Sequence, residues 1–426
     1  MPLHEMRGSR EDTAARTPRV CLLTETFYPV VGGGETHARL LAQHLNCLGM
    51  SSFVLTRRSD RRLPRTESVD GTKTYRVPPA GMKRLGKYAM VPFVLFELIR
   101  RRREYDLVLV CGFRVLGVPA VIAARLLGKS CVLRAEAQGE MSGGYASAYK
   151  KLPLAVGALF RTWINLRNRI LKRADAFVSI SNPIAEEFAE CGVDVDRILE
   201  LPNGIDTERF RPVDAGTRRL LREKLGLPVE KITAIYCGKL NRGKGLEHLL
   251  QAWETVIACR KDAYLVLVGS GGGQSLSCED DLRRLVHARD LGSTVIFTGS
   301  VQNSREHLQA SDIFILPSEN EALPMSLLEA MSCGLPSIAS RVGGIPQVVT
   351  HLENGILVEP ADPDGLAREI LGLLHRPSLA ESLSANARRT VCERYAIGPV
   401  SARYFQLFSC LSSRRVSSRP RGGETS

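Results

Sequence analysis

Residues 317–340, PSENEALPMSLLEAMSCGLPSIAS, decide the fold. They set Glu321 and Glu329 eight positions apart, on either side of a predicted helix start. Pro324 suits the first turn of that helix, since it lacks the N–H that would go unpaired there and its φ is already helical. Leu327, Leu328 and Met331 then recur at helical spacing, which gives a buried-face helix. Upstream, DIFILPS is a short apolar run closed by turn residues and reads as a buried strand. The order is strand, carboxylate-bearing loop, and helix with a second carboxylate. That places both acids at the carboxyl end of a strand, where open α/β sheets bind ligands. A carboxylate accepts from two neighbouring hydroxyls at once, so the pair suits polyols such as a sugar ring and a ribose. Taken alone, two such glutamates are more often solvated or capping groups, and the rest of the chain has to decide.

Working outward, strand-like runs alternate with helical stretches from end to end, as in parallel sheets covered by helices on both faces. The first half offers RVCLLT, SFVLT, KTYRV, DLVLVC, CVLRAE, AFVSIS and RILELP; the second offers ITAIYCG, YLVLVG, VIFTG, IFILP, SIAS and GILVEP. The polar segment NGIDTERFRPVDAGT separates them. The predicted organisation is a flexible lead (1–17), an N-terminal domain (18–212) and a C-terminal domain (213–395). A last helix (396–412) and a disordered tail (413–426) follow. At 426 residues, 44% apolar and 24% charged, the chain is an ordinary globular protein with room for two cores. No apolar run is long enough to span a membrane, and MPLHEMRGSREDTAART lacks the apolar stretch of a signal peptide. Eleven cysteines include no Cys-x-x-Cys pair. Their apolar settings predict reduced thiols in a cytoplasmic protein rather than disulfides or a zinc site.

Charge is uneven. Residues 1–212 hold 33 Lys/Arg against 22 Asp/Glu, whereas residues 213–426 hold 25 against 23. A basic first half predicts an anionic partner surface. None of the recognised nucleic-acid motifs is present. Basic residues interleave with apolar ones in MKRLGKYAMVPFVLFELIRRRR (82–103) and YKKLPLAVGALFRTWINLRNRILKR (149–173). Both segments could lie on an anionic membrane, giving a protein peripheral to its inner face; a core-packed helix with a solvated basic side is the plainer alternative.

Two glycine-rich turns carry further chemistry. GKLNRGKG (238–245) ends the strand ITAIYC and opens a helix. Gly238, Gly243 and Gly245 free the backbone, while Lys239 and Lys244 bring two cations to a helix N-terminus, itself an anion site. The spacing is not that of a Walker loop. FYPVVGGGETHARLLAQHL (27–45) follows the first strand, with Gly32, Gly33 and Gly34 before a helix, but the Gly-x-Gly-x-x-Gly fingerprint is missing. Asp194-Val195-Asp196 precedes a strand and Asp362-Pro363-Asp364 reads as a helix N-cap with Pro at N1; neither suits a metal held between substrate phosphates.

The string LLEAMSCGLPSIAS, the Glu-x7-Glu spacing and the Gly/Lys turn together resemble the family 4 glycosyltransferases. The resemblance covers roughly residues 19–412 and is specific in the C-terminal half. It implies an α/β protein of GT-B fold, two facing Rossmann-like, doubly wound domains with a cleft between them. It implies a retaining hexosyltransferase that works without a metal or other cofactor by front-face displacement. The donor is a nucleotide diphosphate sugar, and the acceptor a glycan, a lipid-linked group or another cell-envelope molecule. In that picture Glu321 holds sugar hydroxyls, Glu329 the ribose, and Lys239 and Lys244 the departing diphosphate. Lys239 stands where Arg is usual, keeping the charge and losing the bidentate fork. Gly33, Gly34 and Gly238 approach the donor, Gly269 and Val301 line the nucleotide pocket, and Leu323, Pro324 and Met325 complete it. Pro202-Asn203-Gly204 matches the interdomain connection. Many members carry a histidine after the strand equivalent to CVLRAEA; here no histidine lies between His44 and His248, and Glu136 takes the place, followed by the flexible-looking AQGEMSGGYASA. Glu136 and Glu140 are candidates for contact with the donor sugar or the acceptor nucleophile, Glu136 as base or as a turn cap. Two other readings stay open: a non-catalytic scaffold of a polysaccharide assembly complex, and a nicotinamide oxidoreductase, which the missing fingerprint disfavours.

Overall fold

The computed structural model describes residues 17–82, 85–144, 154–274 and 276–417. The expected N-terminal lead lies outside these residues up to 16. So do residues 418–426 of the expected tail, positions 83–84 and 149–153 within the two basic segments, and 145–148 at the end of AQGEMSGGYASA; residues 413–417, expected in the tail, instead extend the last helix to Ser417. The chain forms two compact units, Met1–Gly204 with Ile397–Ser426, and Ile205–Ala396.

The first unit is built on β1 (Val20–Thr24), β2 (Ser52–Arg57), β3 (Thr66–Val69), β4 (Thr72–Val77), β5 (Leu107–Cys111), β6 (Ser130–Arg134), β7 (Ala176–Ser179) and β8 (Ile198–Glu200). Their order in the sheet is β3-β4-β2-β1-β5-β6-β7-β8. Strands such as LVLVC and SCVLR are buried throughout, as expected where helices cover both faces. All neighbours run parallel except β3 and β4. Sequence reasoning missed β3 because TESV is a polar, half-exposed edge strand. Its signal was Asp70-Gly71, both with positive φ, closing a two-residue hairpin. The helix Gly33–Cys47 packs Leu41 and Leu45 onto Leu22 and Leu109. The last helix, Ile397–Ser417, adds Tyr404, Leu407 and Phe408 to the same core. Each such side chain contributes about 1.5–3 kcal/mol on burial.

The second unit holds β9 (Ile232–Cys237), β10 (Ala263–Val268), β11 (Val295–Gly299), β12 (Ile313–Leu316), β13 (Ser337–Ser340) and β14 (Ile356–Val358). They form a wholly parallel sheet in the order β11-β10-β9-β12-β13-β14. The division between units falls at Gly204/Ile205, upstream of the expected residue 212. The polar composition of the connection conceals its packing. Ile205 N–H donates to the Tyr395 carbonyl (2.8 Å), and the carbonyl of buried Phe210 accepts from Arg388 Nη1 (2.7 Å) and Ser332 Oγ (2.5 Å). These bonds hold residues 205–212 on the second unit.

Candidate functional site

In the second unit the chain winds outward from β9 in one direction and from β12 in the other. The crevice at their carboxyl ends is therefore the topological switch point, the ligand position in doubly wound sheets. The loops leaving those two strands carry Lys239, Lys244 and Glu321, and they are stitched together. Glu319 N–H donates to the Gly243 carbonyl (3.0 Å), and Lys244 Nζ pairs with Glu321 Oε1 (2.7 Å). Gly245 has φ +65°, and a Cβ on it would lie 1.8 Å from the Pro317 carbonyl oxygen. Only glycine lets the lysine loop settle there.

Glu321 is held from two sides. Its Oε1 accepts from Lys244 Nζ and from Ser318 Oγ (2.9 Å), while Oε2 carries no hydrogen bond among the described residues. The helix Met325–Ser332 starts one residue later than expected: Pro324 is its N-cap, with φ −73° and an extended ψ of 121°. No side chain caps this N-terminus. Leu323 and Met325 are buried. Glu329, one turn in, accepts from Ser304 Oγ (3.4 Å). Burial pushes its carboxyl up to about 7, against the pull of Arg209. Lys239 is exposed; its carbonyl accepts from the Tyr236 hydroxyl (3.0 Å). Gly238 and Gly269 meet where the tips of β9 and β10 touch, and Val301 follows the end of β11.

In the first unit Gly33 and Gly34 open the helix Gly33–Cys47. A Cβ on Gly34 would stand 2.5–2.6 Å from the Glu136 carboxyl group, so the carboxylate rests on the glycine backbone. Glu136 also pairs with Arg134 (3.2 Å). Burial raises its pKa, Arg134 opposes that, and the Glu35 and Glu25 charges add to it. Glu35, in the first turn of that helix, accepts from Thr26 Oγ1.

Glu140 has a different role from the ligand contact considered for it. It is buried and accepts from the backbone N–H of Phe113 (2.8 Å) and of Glu136 (3.1 Å), and burial pushes it up to about 7. The loop it sits on is also more fixed than its small residues suggested. The buried Glu187 carboxylate receives the N–H groups of Gly139 (2.6 Å), Met141 (2.8 Å) and Ser142 (2.8 Å). Sequence reasoning missed Glu187, for nothing in NPIAEEFAE separates it from its solvated neighbour Glu186. Asp362 caps the helix Pro363–Leu374 as expected, accepting from Gly365 N–H (2.9 Å), and Asp194, ahead of β8, accepts from Asp196 N–H (3.1 Å).

Two family profiles match the chain: "glycosyltransferase family 4" over residues 31–209 and "glycosyl transferases group 1" over residues 217–390. The chain belongs to the family 4 glycosyltransferases, and its two Rossmann-like units are those of the GT-B fold. It is 30% identical to a D-inositol 3-phosphate glycosyltransferase of Xylanimonas cellulosilytica over 58% of its own length and 60% of that protein's. Matches to two further proteins of that name cover 52% and 49% of them, so the chain spans only about half the length of these relatives. It is 28% identical to a GDP-mannose-dependent monoacylated α-(1-6)-phosphatidylinositol monomannoside mannosyltransferase of Corynebacterium glutamicum, over 88% of the chain and 93% of the relative. The crystal structure of Anabaena Alr3699/HepE in complex with UDP and glucose superposes with a TM-score of 0.74. It covers 94% of this chain and all of that one at 18% identity, a likeness of fold alone.

Proposed function

We propose that the protein is a retaining glycosyltransferase that moves a hexose from a nucleotide diphosphate sugar to a glycan, lipid-linked or other cell-envelope acceptor. The observation that carries this reading is the convergence of Lys244 and Glu321 in one ion pair at the β9/β12 switch point. One member suits a diphosphate and the other a sugar. Glu329 receives the ribose hydroxyls. Lys239 and Lys244, with the amides at the two helix starts, stabilise charge as it develops on the departing diphosphate. The bond from the anomeric carbon to the phosphate oxygen breaks as the acceptor oxygen bonds to the same face. The acceptor proton passes to the Glu136 carboxylate, the proposed base, and the electron pair of the broken bond leaves with the diphosphate. The GDP-mannose dependence of one relative, and the UDP and glucose in a structural neighbour, support a nucleotide-sugar donor without choosing the base.

Two lysines take the place of a metal in this reading. A thermal-shift screen of UDP-glucose, UDP-N-acetylglucosamine and GDP-mannose should show at least one stabilising ligand. The same donor should be turned over equally with and without EDTA. Stabilisation by none of them would refute the donor assignment, and loss of turnover in EDTA the metal-free one.

The acceptor reading rests on the helices Val91–Arg100 and Leu154–Leu171, which both pack against the helix Phe113–Leu126. Phe93, Phe96 and Ile99 on the first, and Leu159, Trp163 and Leu166 on the second, are exposed. Arg100, Arg161 and Arg169 are exposed among them. Apolar anchors edged by cations suit an anionic lipid surface. No helix among the described residues is long and apolar enough to cross a membrane. The proposal is peripheral binding at the inner face, where a lipid-linked acceptor would be presented. The protein should cosediment with vesicles containing phosphatidylserine at low salt and release at high salt. Equal sedimentation with neutral vesicles would contradict an electrostatic contribution.

A further inference from the structure

Arg134, at the carboxyl end of β6, is completely buried, although it is charged and adjoins the candidate base. Its guanidinium points in three directions. Nη1 pairs with Glu136 Oε1 (3.2 Å), Nε donates to the Tyr404 hydroxyl (3.1 Å), and Nη2 donates to Asn203 Oδ1. Asn203 lies just before the chain leaves the first unit, and Tyr404 lies on the helix by which it returns. Beside them the Gly204 N–H donates to His37 Nδ1 (3.0 Å), and burial together with Arg134 keeps that imidazole neutral. All of these residues belong to the first unit.

The geometry points to Arg134 as a positioning residue for Glu136, aimed by Tyr404 and Asn203, and this rests on the glycosyltransferase reading above. A buried guanidinium is retained only with its donors satisfied. Here one end is anchored by two neutral groups from distant parts of the chain. The other is turned toward a carboxylate pressed on Gly34, so the carboxylate has little freedom of its own. The charged groups facing Glu136 are Arg134, Glu35 and Glu25, with Glu140 below it accepting its backbone N–H. Three of these four are acids. Arg134 is the cation that opposes burial and these acids and so favours the ionised form of Glu136.

Arg134→Gln removes the one opposing cation, so Glu136 titrates higher by about 1–3 pH units, the usual effect of an opposite charge at this range. The acid limb of the pH–rate profile for nucleoside diphosphate release should move up equally. Activity at neutral pH should fall about 10²-fold, with recovery at high pH. Arg134→Lys, which keeps the charge, should restore the limb but not the full rate. Tyr404→Phe deletes one hydroxyl and nothing else; if Arg134→Gln does not fold, this variant decides. It should lower kcat with donor KM unchanged, whereas an unchanged kcat with only a lower Tm makes the network structural and overturns the inference. A ¹³C NMR titration of the Glu136 carboxyl in the wild type and in Arg134→Gln needs no substrate. An upward shift there, with no turnover of UDP-glucose, UDP-N-acetylglucosamine or GDP-mannose by the wild type, would leave the pairing intact and remove the catalytic reading instead. No shift in a folded Arg134→Gln protein overturns the inference itself.

Discussion

Glu321→Gln is expected to lower sugar transfer by about 10²–10³-fold in a protein that remains folded, the scale of removing one preorganised charged group from a reacting centre. The carboxylate does two things at once. One oxygen fixes Lys244 and Ser318, and the other has no hydrogen bond among the described residues, which leaves it to a sugar hydroxyl in the proposed reading. Glutamine keeps the shape but supplies at best one acceptor, and its amide group would oppose the Lys244 ammonium. The side chain is 13% exposed and Lys244 is 27% exposed, so the lysine left behind is still partly hydrated. Folding should therefore be little affected. Initial rates measured beside thermal unfolding separate the two effects. A near wild-type rate would take Glu321 out of the site.

Lys244→Ala should bring a loss of similar size, about 10²–10³-fold, through a different step. Lys244 is held by a loop whose neighbouring Gly245 is locked against Pro317, so the ammonium is delivered to one place. In the proposed mechanism its charge acts chiefly as the diphosphate departs, so kcat should fall more than donor binding weakens. The parallel change at Lys239 should be milder, because that side chain is exposed. Equal and small losses at both positions would contradict the assignment of Lys244 to the leaving group.

The second unit was legible because its signals are local. A buried strand, a polar turn carrying Glu321 and a helix carrying Glu329 follow one another within IFILPSENEALPMSLLEAM, and parallel β–α alternation then leaves few topologies. Even so, the ion pair between Lys244 and Glu321 joins residues far apart in sequence, and no spacing rule predicts it. The first unit was harder to read for the same reason. Arg134 is a lone charge at the end of SCVLR, and its partners Asn203 and Tyr404 lie far along the chain. Glu140 and Glu187 were ambiguous because a carboxylate that braces backbone amides and one that faces a ligand look identical in sequence. Edge strand β3 was hidden by its polarity, and the true division at Gly204 by the polar residues that follow it. In each case the missing information was tertiary burial, not local propensity.

The central claim is that the β9/β12 switch point holds a nucleoside diphosphate through two lysines. Calorimetric titration of UDP, GDP and ADP into the wild type and into the Lys239→Ala/Lys244→Ala double variant tests it most directly. One diphosphate should bind the wild type, and the double variant should bind it about 10²-fold or more weakly, since hydrogen bonds to charged groups contribute about 1.5–3 kcal/mol each. Binding of none of the three, or binding undiminished by loss of both lysines, would contradict the account.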